Sequence, residues 1–179
     1  HGTSRGLGDV YKRQLLLFVF FSFSYSQNLT VESGGTLTIE KTGAVTVSGN
    51  FSNSGTVTMN SDADEFSSIK ISGTTSGNVT YNRFVNYAAS GEWDLIGSPV
   101  DGLSISSFVS TNTSGTATLA TNGSAYAVGY YDNSTDTWTN YTTETVGGAG
   151  NFDIGKGYQM GTVSGGTQIL AFTGTISSC

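Results

Sequence analysis

The chain has one histidine, His1, one cysteine, Cys179, and one proline, Pro99. The first two sit at the chain ends, so everything between them lacks imidazole and thiol. Ser-His-Asp and Cys-His catalysis are excluded, as are zinc sites built from Cys and His. No disulfide can form within one chain. Charge is scarce as well: Asp, Glu, Lys and Arg make 11% of the 179 residues, with a formal net charge of −6. Helix formers such as Ala, Leu, Glu and Lys are sparse. Any catalysis must rest on carboxylates, hydroxyls, Lys or Tyr.

Small polar residues fill the space. Thr (26), Ser (25), Gly (25) and Asn (12) supply 88 of the 179 residues. A polar, weakly charged chain of this kind resembles disordered protein. Here 12% aromatic residues and frequent Val, Ile and Leu argue for a folded one. Thr and the aromatics favour strands, whereas Gly, Asn and Ser favour turns. The composition therefore points to an all-β protein.

Leu15 to Phe21 is an unbroken apolar run. The stretch to Ser26 is shorter than the roughly 20 apolar residues that span a bilayer. It fits the h-region of a signal peptide over residues 15–26. Ser24 and Ser26 stand at the small-residue positions before cleavage, and Gln27 is the expected mature start. The preceding "GDVYKRQ" resembles a translated sequencing adapter: GAT GTG TAT AAG AGA CAG encodes "DVYKRQ", the transposon end used to fragment DNA. Residues 1–14 are accordingly expected to be a non-native scar, and Cys179 fits an adapter codon at the other end. Without residues 1–26 the net charge is −8, from 4 basic and 12 acidic residues. Nucleic acid, which needs basic patches, is not an expected partner. No membrane span is expected once the signal is removed.

Apolar-polar-apolar triads then recur: "LTV" at Leu29, "LTI" at Leu37, "VTV" at Val45, "VTM" at Val57, "IKI" at Ile69 and "VTY" at Val79. Their spacing is 8, 8, 12, 12 and 10 residues, with turn words such as "ESGG" and "SGTTSG" between them. Period-two alternation marks strands with one buried face. Val, Leu and Ile are expected to point inward and the central Thr outward. Two architectures share this signature, a β-helix-like solenoid of stacked rungs and an antiparallel meander. Near-identical triads that can stack like on like favour the solenoid over residues 27–86. Phe51, in "GNFSNSG", fits the core beside a tight Asn/Gly corner. A stack also needs a cap, because its last rung exposes strand edges.

Residues 87–179 read differently. "AYAVGYYD" and "TWTNYTT" form a hairpin around a turn at Asn133 to Asp136. Leu103, Ile105, Phe108 and Val109 fit one short helical turn packed on a sheet, with Asp101 as its candidate cap. Pro99 ends the preceding strand. A β-sandwich-like second half with at most one short helix is expected, truncated at its C-terminal end.

The blocks "VTYNRFVN … WDLIGSPV … YYDNSTDTWTNY … GNFDIGKGYQM … FTGTI" resemble a family of large secreted bacterial surface proteins. These are exported by the type IX, gliding-associated system and carry a C-terminal sorting domain. In that family an "N-R-[FY]-V … W-x-L-[IV]-x-x-P-V" block follows triad repeats, and "GKGY" and "FTGT" come after it. The resemblance runs from about Asn28 to Ile176. It implies export and outer-surface display, with no established reaction.

Several motifs bear on chemistry. "GNFDIGKG" places Gly150, Gly155 and Lys156 at P-loop spacing, but Gly157 stands where Ser or Thr should hold magnesium. A turn before a strand at Tyr158–Met160 is the simpler reading. Asp62, Asp64 and Glu65 in "DADE" are calcium candidates, since a hard ion takes oxygen ligands; the later Gly and Glu of an EF-hand are missing, and a solvated bulge at a corner of the solenoid is the favoured reading. Asp132 and Asp136 form a second such loop, in which Asp usually bonds its own backbone. Arg83 is expected to pair with Glu92 or Asp94. Glu92, Asp94 and Asp101 are the carboxylates from which a glycosidase pair would have to come. Tyr130, Tyr131, Trp138 and Tyr141 alternate on the hairpin. Tyr131, Trp138 and Tyr141 are candidates to stack a glycan, against the plainer reading as core. We expect no cofactor and no catalytic residue. The expected function is a non-enzymatic exported surface module, an adhesin-like stalk or spacer. The alternative is a carbohydrate-binding module of a larger secreted polysaccharide-acting protein. Surface glycans or other cell-surface proteins are the expected partners.

Overall fold

The computed structural model describes residues 27–114 and 118–177. The expected scar (1–14), the expected signal peptide (15–26) and Cys179 lie outside those residues. The described chain is all-β, with one α-helix.

Each triad is a strand. They are β1 (Leu29–Val31), β2 (Thr36–Ile39), β3 (Ala44–Val47), β5 (Thr56–Asn60), β6 (Ser68–Ile71) and β8 (Val79–Phe84). Two more strands lie between them, β4 (Phe51–Asn53) and β7 (Thr75–Ser76). The last apolar residue of every triad is buried: Val31, Ile39, Val47, Met59, Ile71 and Tyr81. The central residues, from Thr30 to Lys70 and Thr80, are exposed or half-buried. A period of two thus delivers one wet and one dry face, as the pleat requires.

No triad pairs with the next one. Three parallel ladders form instead, β1–β4–β7, β2–β5–β8 and β3–β6. Leu29 lies beside Phe51, Leu37 beside Val57 and Val45 beside Ile69. Like apolar residues therefore meet across each ladder. On the outer face Thr38, Thr58 and Thr80 fall in one row. The corners between ladders are tight. Gly77 has φ +82°, and a Cβ there would lie 2.0 Å from the Asn53 carbonyl oxygen. Only glycine supplies that backbone at so close an approach. Asn50 ties three turns together: its N–H donates to Asn28 Oδ1 at 2.8 Å, and its own Oδ1 accepts from Thr74 N–H at 2.9 Å.

β8 is where the direction changes. One edge pairs in parallel with β5, and the other pairs antiparallel with β14 (Ile169–Gly174), from Ile169 opposite Phe84 to Gly174 opposite Val79. A strand from the second half of the sequence therefore covers the edge that the parallel ladder would leave open. Its side chains also extend the outer row, with Thr80 and Thr173 hydroxyls 2.9 Å apart.

The remaining strands make an antiparallel sheet. β11 (Ala125–Asp132) pairs with β10 (Thr121–Asn122), β12 (Thr137–Thr142) and β13 (Tyr158–Met160), and β13 pairs with β9 (Asp94–Ile96). The β11–β12 hairpin turns at residues 133–136, and Asp136 takes φ +56° there. Pro99 follows β9 in a bend. The helix α1 (Ile105–Asn112) runs two turns, longer than the single turn expected. Its residues are poor helix formers, so burial of Ile105, Phe108, Val109 and Asn112 along one face holds it. Ser104 is its cap in place of Asp101: Ser104 Oγ accepts from Ser107 N–H at 3.1 Å. Asp101 lies three residues too early, with its backbone held against Thr175.

An aromatic chain joins β14 to the antiparallel sheet. Phe172 on β14 lies 4.7 Å from Phe108 on α1, Phe108 lies 5.2 Å from Phe152, and Phe152 lies 4.8 Å from Tyr158 on β13. All four rings are buried, which is worth about 1.5–3 kcal/mol for each large apolar side chain. The same buried cluster continues through Val79 and Met59 to Val31.

Candidate functional site

The five-stranded sheet has a dry face and a wet one. Val128, Tyr158, Met160 and Ile96 occupy the dry face, one across from another. The wet face carries Leu95, Gln159, Gly129 and Asn140 in the same fashion. Further along the hairpin it carries Tyr131 opposite Trp138. Tyr131 is 37% and Trp138 45% exposed, and their ring centroids are 5.3 Å apart at 65°. Gly129 lets Asn140 lie over the sheet, for a Cβ at 129 would meet Asn140 Oδ1 at 2.5 Å. Gln159 Nε2 donates to that same oxygen at 2.6 Å.

Tyr141 is separated from the other two glycan candidates. It lies on the opposite face with Tyr130, centroids 5.5 Å apart. Burial is the main reason its hydroxyl pKa is pushed up to about 12. Tyr131 donates to Asp136, and that bond raises the Tyr131 pKa.

Beside Asn140 the wet face runs into a cleft of about 730 Å³. Trp93 stands at its wall, 37% exposed, and small residues such as Ala88, Ala125 and Ala127 leave the space open. None of the described residues that line it is charged. The three glycosidase carboxylates lie elsewhere. Asp94 accepts from the backbone and side-chain amides of Asn86, at 2.8 and 3.1 Å. Asp101 accepts from the Ser177 hydroxyl, and Glu92 is not among the lining residues. Arg83, expected to pair with Glu92 or Asp94, lies 4.4 Å over the Phe66 ring.

The calcium candidates are engaged with one another and with Lys41. Asp62 Oδ1 accepts from the N–H groups of Asp64 and Glu65, at 3.1 and 2.9 Å. Its other oxygen pairs with Lys41 Nζ, which also lies 3.4 Å from Glu65 Oε2. The Lys41 ammonium and the two N–H groups lower the Asp62 pKa, and the carboxylates raise that of Lys41. Among the described residues no group of three or more His, Cys, Asp or Glu side chains is arranged to hold a metal. Asp132 folds onto Ser134 through its N–H and hydroxyl, at 2.8 and 2.6 Å, which lowers the Asp132 pKa.

Comparison with protein-family models, with curated proteins and with solved structures finds no match. What the chain can do must therefore be read from its surfaces. The Gly155–Lys156–Gly157 turn leads into β13 rather than a helix, and Lys156 Nζ lies 3.4 Å from Asp153 and 5.3 Å from the Tyr130 ring. No described helix is long and apolar enough to cross a membrane. In the sequence Trp93 figures only in the "W-x-L-[IV]-x-x-P-V" block, without a site role, and the cleft is not foreseen. The small residues that leave the space open, Ala88, Ala125 and Ala127, are separated from Trp93 along the chain.

Proposed function

We propose that this chain is a non-enzymatic module exported to the outer cell surface, an adhesin-like stalk or spacer. In this reading the first half is a short β-solenoid and the second half a β-sandwich-like cap. The observation that carries it is the parallel pairing of strands 20 to 24 residues apart, as in Thr36 with Thr56 and Ala44 with Ser68. Stacked short rungs give length for few residues. The outward Thr row stays hydrated without charge, which suits a surface exposed to changing ionic strength. The resemblance to type IX surface proteins supports export by that route, with surface glycans or neighbouring surface proteins as partners.

The test is protease shaving of intact cells of the source organism. Loss of the chain from unlysed cells supports display, and full retention overturns it. Reducing-sugar release from a panel of polysaccharides checks the absence of turnover. Activity that vanishes with Glu92→Ala or Asp94→Ala would replace the stalk by a carboxylate enzyme.

The second reading is a carbohydrate-binding module. The paired, exposed rings of Tyr131 and Trp138 favour it, because an exposed aromatic face offers stacking area at low entropic cost.

A further inference from the structure

We propose that the cleft between Trp93 and Asn140 is a binding site for a neutral oligosaccharide. The proposal rests on the carbohydrate-binding reading and moves the ligand from the hairpin tip to the cleft.

The chemistry of the lining selects the ligand. The volume of about 730 Å³ lies within the range of small-ligand sites, roughly 300–1,000 Å³. Two aromatic side chains, Trp93 and Tyr126, share the lining with Thr121, Asn122 and Asn140. A sugar ring presents both matching surfaces: C–H faces that pack on aromatic rings and hydroxyls that bond amides and other hydroxyls. Among the described residues no Asp, Glu, Lys, Arg or His lines the cleft, so no charged side chain among them compensates a buried carboxylate, phosphate or ammonium group. The chain's net charge of −6 further disfavours acidic polysaccharides.

The polar groups are also held in place. Asn140 Oδ1 is occupied by the Gln159 amide at 2.6 Å, which fixes the side-chain plane and leaves the Asn140 NH2 group as a donor. Asn140 sits opposite Gly129, whose missing side chain lets the amide lie against the sheet. The hollow exists because the residues around it are small. Gly161 is required for one wall: a Cβ there would meet Ala88 Cβ at 2.7 Å. Trp93 comes three residues after the turn at Ala88–Ser90. Tyr131 and Trp138 lie on the same sheet face beyond Asn140, so a longer chain leaving the cleft would run toward them.

The test is isothermal titration of the full chain with cello-, xylo-, manno- and laminari-oligosaccharides, and with an acidic oligogalacturonate of equal length. At least one neutral series should bind, with little change between low and high salt. Trp93→Ala should weaken that binding about tenfold or more and Asn140→Ala several-fold, and for short oligosaccharides each should weaken it more than Trp138→Ala does. Circular dichroism and melting of each variant separate lost binding from lost fold. Because Trp93 is partly exposed, Trp93→Phe provides a milder check and should retain most of the affinity. Binding lost with Trp138→Ala and kept with Trp93→Ala overturns the cleft and leaves the carbohydrate-binding reading standing. Preference for the acidic oligosaccharide overturns the neutral-ligand assignment. Binding of no member of the panel overturns both.

Discussion

Asn112 holds Ala171 by two hydrogen bonds: its Oδ1 accepts the Ala171 N–H at 2.8 Å, and its Nδ2 donates to the Ala171 carbonyl at 2.9 Å. One side chain on α1 thereby takes the place of the next strand along β14. Thr118 Oγ1 does the same for the Ile169 carbonyl. The edge opened by the parallel ladder is covered first by β14, and the edge of β14 is covered in turn by side chains.

Asn112→Ala is therefore predicted to destabilise the fold by about 1–2 kcal/mol, because it strands a backbone donor and acceptor in a half-buried setting. Urea denaturation followed by tryptophan fluorescence measures it. A loss below half of that range would show that water replaces the amide freely.

The corner ladder makes a contrasting pair of predictions. Asn50 is exposed, so Asn50→Ala should cost only about 1 kcal/mol despite its two bonds to neighbouring turns. Gly77→Ala should cost distinctly more, about 2 kcal/mol or above, since it adds a Cβ against the Asn53 carbonyl at a positive φ. If the two variants melt together, the close approach at Gly77 relaxes without strain.

The pH dependence follows from Lys41 and Asp62. The Asp62 pKa is lowered in the folded state from its ordinary 3.8. Its contribution is present above that value and is lost as pH falls through the lower, folded one. Lys41 is raised above 10.5, so its contribution fades as pH rises past that value. Both groups are exposed, and the effect should shrink in high salt. Asp62→Asn should flatten the acid side of a melting-temperature profile. An unchanged acid limb would assign it to other carboxylates.

Tyr141 sets an alkaline signature. With its pKa raised from 10.0 to about 12, the folded state keeps a proton that the unfolded state gives up. Stability should therefore fall as pH rises across that interval. Tyrosinate absorbance should show a late-titrating group that Tyr141→Phe removes. Titration of all tyrosines together would contradict the burial.

Calcium should leave the melting temperature where sodium chloride of equal ionic strength puts it. Asp62 is already committed to Lys41 and to its own loop backbone. A rise of several degrees would reinstate the Asp62, Asp64 and Glu65 site, because a ligand that binds only the folded state stabilises it.

Local pattern was sufficient for much of the fold. The triads are strands with the apolar side chains inside, Phe51 is in the core, and the hairpin turns at residues 133–136. These features depend on pleat periodicity and turn chemistry, both written in neighbouring residues. β4 and β7 were harder to see, because "FSN" and "TS" carry no alternation and become strands only by lying beside Leu29 and Phe51.

Long-range pairing belonged to the tertiary structure. That Leu37 meets Val57 and not Val45, and that β14 closes on β8 from far along the chain, depends on which edges are free once the chain has turned. The separation of Tyr141 from Tyr131 and Trp138 was written in the alternation itself. The cleft was not, since Trp93, Asn140 and Ala127 come from separate segments. Spacing along one strand determines which face a residue takes. A hollow depends on the distances between strands and on the side chains that fail to fill it, and no single stretch of sequence encodes those.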